Sequence, residues 1–289
     1  MLVGFILYFN KMDILIDGKN LTYKAIFASL DKITKKPKVD PLIIAFRMMC
    51  KWRRIYKPEN WMIFWDVPRE KLWRKKLYPE YKDGRSKGFI TKDELKIFLD
   101  KFSGIFIPIC SNLKMTQYIK SENEADDLMY AYVKAYPDKE TLIVSSDGDM
   151  TQALMKYDHV KVHDPRNKDV MYEEKPEYDP VIVKCLAGDT SDNIDGYRLV
   201  GDITAKKIMR DGKLEEFLTK NGRDMFDFNR KLVDLELNPH IESNMEYIKS
   251  VKCNDKFDLK AINKIIDKHE LSELKSLSSD LIIPFKYSP

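Results

Sequence analysis

An α/β fold, with a mostly parallel central sheet flanked by helices, is predicted for this chain by three observations. Short apolar runs of strand length alternate with segments of helical spacing over about the first 160 residues. From about Pro180 onward the pattern turns mainly helical. The composition, 44% hydrophobic and 33% charged over 289 residues, supplies a sizeable core under a wet surface. Residues 1–185 are therefore expected to form the α/β part and residues 186–289 a helical region.

The elements follow in order. Met12–Ile16 is a short apolar run ending in Asp17 and Gly18, which reads as a buried strand and a turn. Pro41–Tyr56 has helical spacing, with proline suited to the first turn. Trp61–Trp65 reads as the second strand and ends at Asp66. Thr91–Phe102 is helical, with a Thr91/Glu94 capping box. Ile105–Cys110 is expected as the third strand, and Ser121–Ala135 as a helix capped by Ser121. Thr141–Val144 is the fourth strand, running into Ser145–Asp149.

Several classes are excluded by composition. Lys and Arg number 50 against 46 Asp and Glu, a net charge of +4 that is too mild to argue for nucleic acid unless its distribution does. Cys50, Cys110, Cys185 and Cys253 lie far apart without a CxxC pair, as buried thiols in a reducing compartment do. The four histidines are scattered, which disfavours a nitrogen- or sulfur-liganded metal. The apolar run Met1–Phe9 is too short to span a bilayer, and neither a basic flank nor a cleavage pattern accompanies it. It reads as an extra strand or an upstream start, with Met12 as the alternative first residue. No membrane association and a cytoplasmic location follow as expectations (the host cytoplasm for a phage-encoded chain).

The acidic residues carry the chemistry. Ligand sites in open parallel sheets lie beyond the carboxyl ends of the strands. Asp17 ends the first strand, Asp66 the second, and Asp147 and Asp149 follow the fourth. Glu124, Asp126 and Asp127 open a helix, and Asp189 and Asp192 come later, within Gly188–Asn193. A single aspartate there is an ordinary cap or turn residue. Four acidic clusters predicted to reach one sheet edge are not, because nine ionised carboxylates repel unless cations lie between them. Oxygen donors without His or Cys select magnesium, with manganese able to substitute. A site for two or more ions is expected, of the kind that activates water for phosphoryl transfer without a protein nucleophile.

Between Pro68 and Gly88 lie Arg69, Lys71, Arg74, Lys75, Lys76, Lys82, Arg85 and Lys87 against Glu70, Glu80 and Asp83, a local balance of +5. Trp73, Tyr78 and Tyr81 are interleaved. Such a run is most often a solvated helix face. Its place directly after Asp66 and its mixture of cations with rings favour a grip on single-stranded nucleic acid, charge for phosphate and rings for stacking.

Five motifs now coincide: IDGKN at Ile16–Asn20, PEYK at Pro79–Lys82, EADD at Glu124–Asp127, SDGD at Ser146–Asp149 and GDTSDN at Gly188–Asn193. In order and spacing, over about Met12 to Lys207, they resemble the phage and bacterial 5′-nuclease (flap endonuclease) family, a PIN-like fold, and Leu142–Leu154 looks most like the phage ribonuclease H type. The resemblance implies a first metal served by Asp17, Asp66, Glu124, Asp126 and Asp127 and a second served by Asp147, Asp149, Asp189 and Asp192. It implies a helical arch near residues 68–104 carrying Lys75, Lys76, Tyr81, Lys82 and Arg85, with Tyr81 stacking on a base and Lys82 touching the scissile phosphate. Lys82, Asp126 and Asp149 become the candidate catalytic residues. It implies hydrolysis leaving a 5′-phosphate and a 3′-hydroxyl, on DNA or RNA–DNA hybrids with 5′ ends or flaps, by a monomer working beside replication proteins in primer or flap removal. A helix-hairpin-helix-type region is implied near the C-terminal side, where Gly201, Lys206 and Lys207 would hold duplex backbone. There the chain departs from the family's Gly-x-Gly hairpin: Asp202 and Thr204 stand at or near the glycine positions, and Asp202 would repel phosphate.

Two rival readings remain. Asp147–Thr151 fits the DxDxT motif of haloacid-dehalogenase-like phosphatases, with Asp147 as nucleophile and Asp149 as acid/base. That reading leaves Asp17, Asp66, Glu124–Asp127 and the basic run unexplained and puts the nucleophile unusually late. The other rival is a non-catalytic nucleic-acid-binding module, against which the intact acidic positions argue.

Overall fold

The computed structural model describes residues 12–31, 33–84, 91–165 and 170–287, so the Met1–Phe9 run, Arg85 and Lys87 lie outside the described residues. The sheet is built from β1 (Asp13–Asp17), β2 (Asn60–Phe64), β3 (Met115–Tyr118), β4 (Thr141–Val144), β5 (Val160–Asp164) and β6 (Val170–Tyr172). Their order is β3-β2-β1-β4-β5-β6, with every pairing parallel except that of β5 with β6. The order reverses at β1, so the crevice between the ends of β1 and β4 is the switch point at which such sheets bind ligands.

Side chains alternate across the sheet because successive strand residues point to opposite faces. Ile14, Ile16, Trp61, Ile63, Leu142 and Val144 enter one core with α1 (Gly18–Ser29), α2 (Pro41–Tyr56) and α4 (Lys92–Cys110). Leu15, Met62, Phe64 and Ile143 enter the other with α5 (Ala125–Ala135) and α6 (Thr151–Lys156). Both faces being covered explains why the strands read as continuous apolar runs. Between β2 and α4 lies the short α3 (Trp73–Leu77).

The expected Pro41–Tyr56 helix is present, capped by Asp40 with Pro41 in its first turn. Thr91 and Glu94 form the expected capping box. Two expectations need correction. Ile105–Cys110 is not a strand but the end of α4, where Phe102, Ile105, Phe106, Ile109 and Cys110 recur at helical spacing and face the core. The third strand is Met115–Tyr118. The helix expected from Ser121 begins at Ala125, where the Asp127 carboxylate accepts from the Glu124 amide (3.0 Å) and Asp66 accepts from that of Ala125 (2.8 Å). Acidic side chains satisfy the free amides that Ser121 was expected to cap.

Residues 186–289 divide among three places. α8 (Asp202–Arg210), α9 (Leu214–Asn221) and α10 (Asp224–Val233), with α7 (Pro180–Ala187), surround a third core that also takes in Val67, Leu72 and Tyr81. α11 (Ile241–Ser250) packs on the α5 side of the sheet through Ile248. α12 (Leu259–Lys268) and the residues after it return to the opposite face, where Phe285 meets the Trp61 ring edge-on at 5.3 Å between centroids.

Candidate metal centre

Each acidic side chain reaches the switch point by a local device. Asp17 ends β1 and caps α1, accepting from the Asn20 amide (2.8 Å), and its other oxygen lies 3.3 Å from the Ser145 hydroxyl. Gly18 follows because a Cβ there would sit 2.7 Å from ring carbons of Trp65. Asp147 starts the turn after β4 and accepts from the Asp149 amide (3.0 Å). Asp189 ends the first strand of a small hairpin, Gly188–Asp189 paired with Ile194–Asp195, whose close approach rests on Gly188, with φ +75° and the backbone of Gly196 at 2.5 Å from any Cβ.

The result is a chain of carboxylates. Glu124, Asp126 and Asp127 form one group, Asp126, Asp147 and Asp149 a second, and Asp149, Asp189 and Asp192 a third, each with ligand oxygens within 4.8 Å of one another. Asp126 and Asp149 each belong to two groups and so bridge them. Asp17 and Asp66 stand beside this chain, close enough that Asp66 and Asp147 both raise the pKa of Asp17. All nine acidic residues singled out in the sequence are thus at one strand edge.

Electrostatics report the crowding. Burial, then the charge of Asp66, pushes Asp17 up from 3.8 to about 7. Burial pushes Asp149 up to about 6 against the pull of Lys184, and Asp147 adds to the rise. Asp126 is raised well above the ordinary range by burial and by Glu124 and Asp127. Burial would raise Asp66 too, but Lys19 and Lys82 together hold it below its ordinary value.

Cationic side chains interleave with the acids, and three of them were not singled out for this role. Lys19 pairs with Asp66 (2.6 Å). Lys184 bridges Asp149 and Asp189, the latter at 2.6 Å. Arg74 is 2% exposed; it binds both oxygens of Asp127 (2.9 Å each), reaches Glu124 (3.1 Å) and donates to the Leu232 carbonyl (2.8 Å). Arg74 was visible only as one member of the basic run, and nothing in a lone lysine five residues before Asp189 distinguishes Lys184. Lys82 pairs with Glu124, lies 3.5 Å from Asp192, and is fixed by its own amide donating to the Asp192 carbonyl (2.8 Å).

The basic stretch differs from expectation in its aromatic residues. Tyr81 is 3% exposed, and its hydroxyl lies 2.8 Å from oxygens of both Glu124 and Asp192. It therefore supports the carboxylates instead of offering a ring to a base. Trp73 is buried beneath the Arg74 guanidinium, and Tyr78 packs edge-on against Phe228. Lys75 is paired with Asp83 (2.6 Å) and Lys76 with Glu122. Gly201, Lys206 and Lys207 lie at and after the start of α8, exposed. A groove of about 760 Å³, lined among others by Lys184, Asp189, Gly201 and Lys206, joins that turn to the carboxylates. A second, of about 630 Å³, leads away past Lys19, Asp66 and Arg69. No helix among the described residues is long and apolar enough to cross a membrane.

The donor set suits hard divalent cations: carboxylate oxygens held close together at the cost of raised pKa values, with no His or Cys in the groups found among the described residues. Fold and site together define an α/β protein with an acidic metal centre at the switch point of its sheet. The model of the family "5′-3′ exonuclease, N-terminal resolvase-like domain" matches residues 13–183, more than half of the chain, and the chain belongs to that family. It is 28% identical to a 5′-3′ exonuclease of Aquifex aeolicus over 92% of this chain and 94% of that protein. It is 27% identical to the flap endonuclease Xni of a Shewanella species over 81% of this chain and 93% of that protein. The bacteriophage T5 D15 flap endonuclease, solved with DNA and metal ions, shares the fold at a TM-score of 0.63 and 18% identity, over 90% of this chain and all of that one (100%). The phosphatase reading is not favoured, since Asp147 follows the fourth strand and stands beside Asp126 of α5, Asp149 and Asp17 of β1.

Proposed function

We propose that this chain is a divalent-metal-dependent 5′-nuclease, acting as a 5′-3′ exonuclease and flap endonuclease on DNA and RNA–DNA hybrids during primer or flap removal. The observation that carries the reading is the run of three overlapping carboxylate groups bridged by Asp126 and Asp149. Asp17, Asp66, Glu124 and Asp126 would hold one magnesium ion, and Asp147, Asp149, Asp189 and Asp192 a second. A pair of such ions, when bound, supplies hydroxide from water at neutral pH and charge stabilisation for in-line displacement at phosphorus.

The residues of the chain do the rest. Asp127, with both oxygens on Arg74 and one also on the Glu124 amide, positions Glu124 and Asp126 at the start of α5 more than it binds an ion. Lys82, paired with Glu124 and 3.5 Å from Asp192, would bind a non-bridging phosphate oxygen as charge develops. Lys19 and Lys184 neutralise carboxylates that would otherwise repel a phosphate. Lys206 and Lys207 would hold the duplex backbone at the far end of the groove.

The test is a 5′-labelled branched duplex and a matching RNA–DNA hybrid, each incubated with magnesium or with EDTA. Short labelled products only with magnesium are expected, and cleavage of both substrates in EDTA would refute the metal centre. Release of phosphate from small monoesters without polymer cleavage would return the case to a phosphatase.

A further inference from the structure

We propose that Leu199 and Ile203 form an uncharged wedge that seats against the sugar edges of a nucleic-acid duplex in its minor groove. This inference rests on the nuclease reading and names a contact that reading does not contain. Leu199 is 89% exposed and Ile203 87%, and they are among the most exposed apolar side chains of the described residues. Their neighbours show that this is not loose packing. Tyr197, Val200 and Ala205 are buried in the third core, so the segment from 197 to 205 is anchored at both ends and in between while Leu199 and Ile203 stay exposed.

The backbone adds a second observation. Leu199 adopts φ +63°, the left-handed region that a branched L-residue enters at a cost of about 1 kcal/mol or more. Glycine would fit that conformation with less strain, and no side-chain contact in the core compensates an exposed leucine there. Strain of this kind, held on an anchored turn, marks a position used for contact.

Charge identifies the partner. On α8, Ile203 shares a face with Lys206, Lys207 and Arg210 at i+3, i+4 and i+7, and Arg198 precedes Leu199; these four exposed cations outnumber Asp202, the exposed acid between the two apolar residues that opposes a phosphate there. A protein surface complementary to this patch would have to be acidic and apolar at once. A duplex groove offers that combination directly, with two rows of phosphates flanking apolar sugar faces, and apolar side chains are used in minor grooves for this reason. The groove running from Lys206 and Gly201 to Asp189 places the patch on a continuous path to the carboxylates. The wedge then sets how far along the duplex the cut falls, through contacts that salt does not screen, while Lys206 and Lys207 supply those that it does.

The two contributions separate experimentally. Duplex affinity is measured against salt concentration for the wild-type protein, the Leu199→Ser/Ile203→Ser double variant and Lys206→Ala, in EDTA so that no cleavage intervenes. The double variant is expected to weaken binding by about tenfold or more at every salt concentration, the scale of two partly covered aliphatic side chains, with the slope unchanged. Lys206→Ala is expected to flatten the slope by about one phosphate contact. Cleavage of the same duplex with magnesium should become less uniform in position for the double variant. Double-variant affinity equal to wild type overturns the wedge while leaving the nuclease intact. So does self-association of the wild type that the double variant loses with duplex binding unchanged. A wild-type protein that neither binds duplex nor cuts it overturns the nuclease reading and the wedge together.

Discussion

Asp126 and Asp149 are the residues on which the site turns, because each is shared by two carboxylate groups. Replacing either by asparagine, or doing the same at Asp17 or Asp189, removes a charge while keeping the shape. Each variant is expected to lose on the order of a hundredfold or more of magnesium-dependent cleavage. Full activity in any two of them would dismantle the centre. Lys82→Ala is expected to act differently, lowering kcat by about 10²–10³ with KM little changed, since its ammonium would serve the charge that develops in the transition state. Steady-state kinetics on one flap substrate decides this, and a changed KM at constant kcat would make Lys82 a simple binding residue. The carboxylates were legible in the sequence because strand-end aspartates have a fixed destination in a parallel sheet. Their partners Lys19, Arg74 and Lys184 were not, since a lysine or arginine reaches its acid through a long stem whose direction only the fold determines.

At the scale of elements, sequence pattern signals β1, β2, β4 and α2 clearly because their apolar runs are bounded by turn or cap residues. It failed at Ile105–Cys110, where six largely apolar residues satisfy strand and buried-helix patterns alike. Pro108 within that run argues against a central strand, and the continuation of the Leu95–Phe102–Ile105–Ile109 spacing favours helix. Tyr81 shows the same limit from the other side: an aromatic among cations reads as a stacking platform until burial places its hydroxyl on Glu124 and Asp192. The start of α5 depends on Arg74, which ties Asp127 and Glu124 to the Leu232 carbonyl at the end of α10. Arg74→Met leaves buried Asp127 without its cation and Glu124 with Lys82 alone, so a loss of about 3–5 kcal/mol is expected in denaturant unfolding. A loss below 1 kcal/mol would mean that the pair is dispensable to the fold.

For the whole molecule, the acidic centre opposes folding unless cations occupy it. With Asp17 at about 7 and Asp149 at about 6 in the folded state against an ordinary 3.8, the native protein holds protons that the unfolded chain releases. The sign follows: in EDTA these groups favour the folded state less and less as pH rises from about 4 to 7. Metal must displace the same protons and binds better once they are gone. The rise in Tm on adding magnesium or manganese should therefore be larger at pH 8 than at pH 5.5, as thermal unfolding at both values with and without metal will report. Equal increments at the two pH values would separate the raised pKa values from metal binding.

Phe285 sits at the heart of this larger picture, wedged against Trp61 of β2 although 224 positions separate the two in the chain (285 less 61). During synthesis, the first face of the sheet, already packed by α1, α2 and α4, is completed only when the residues around Phe285 have left the ribosome. Every strand, and every acid it carries, is made long before that moment. A chain interrupted before residue 285 would hold the full set of acidic residues on a sheet face that lacks the Phe285 ring, and it is expected to unfold at a lower temperature than the full chain.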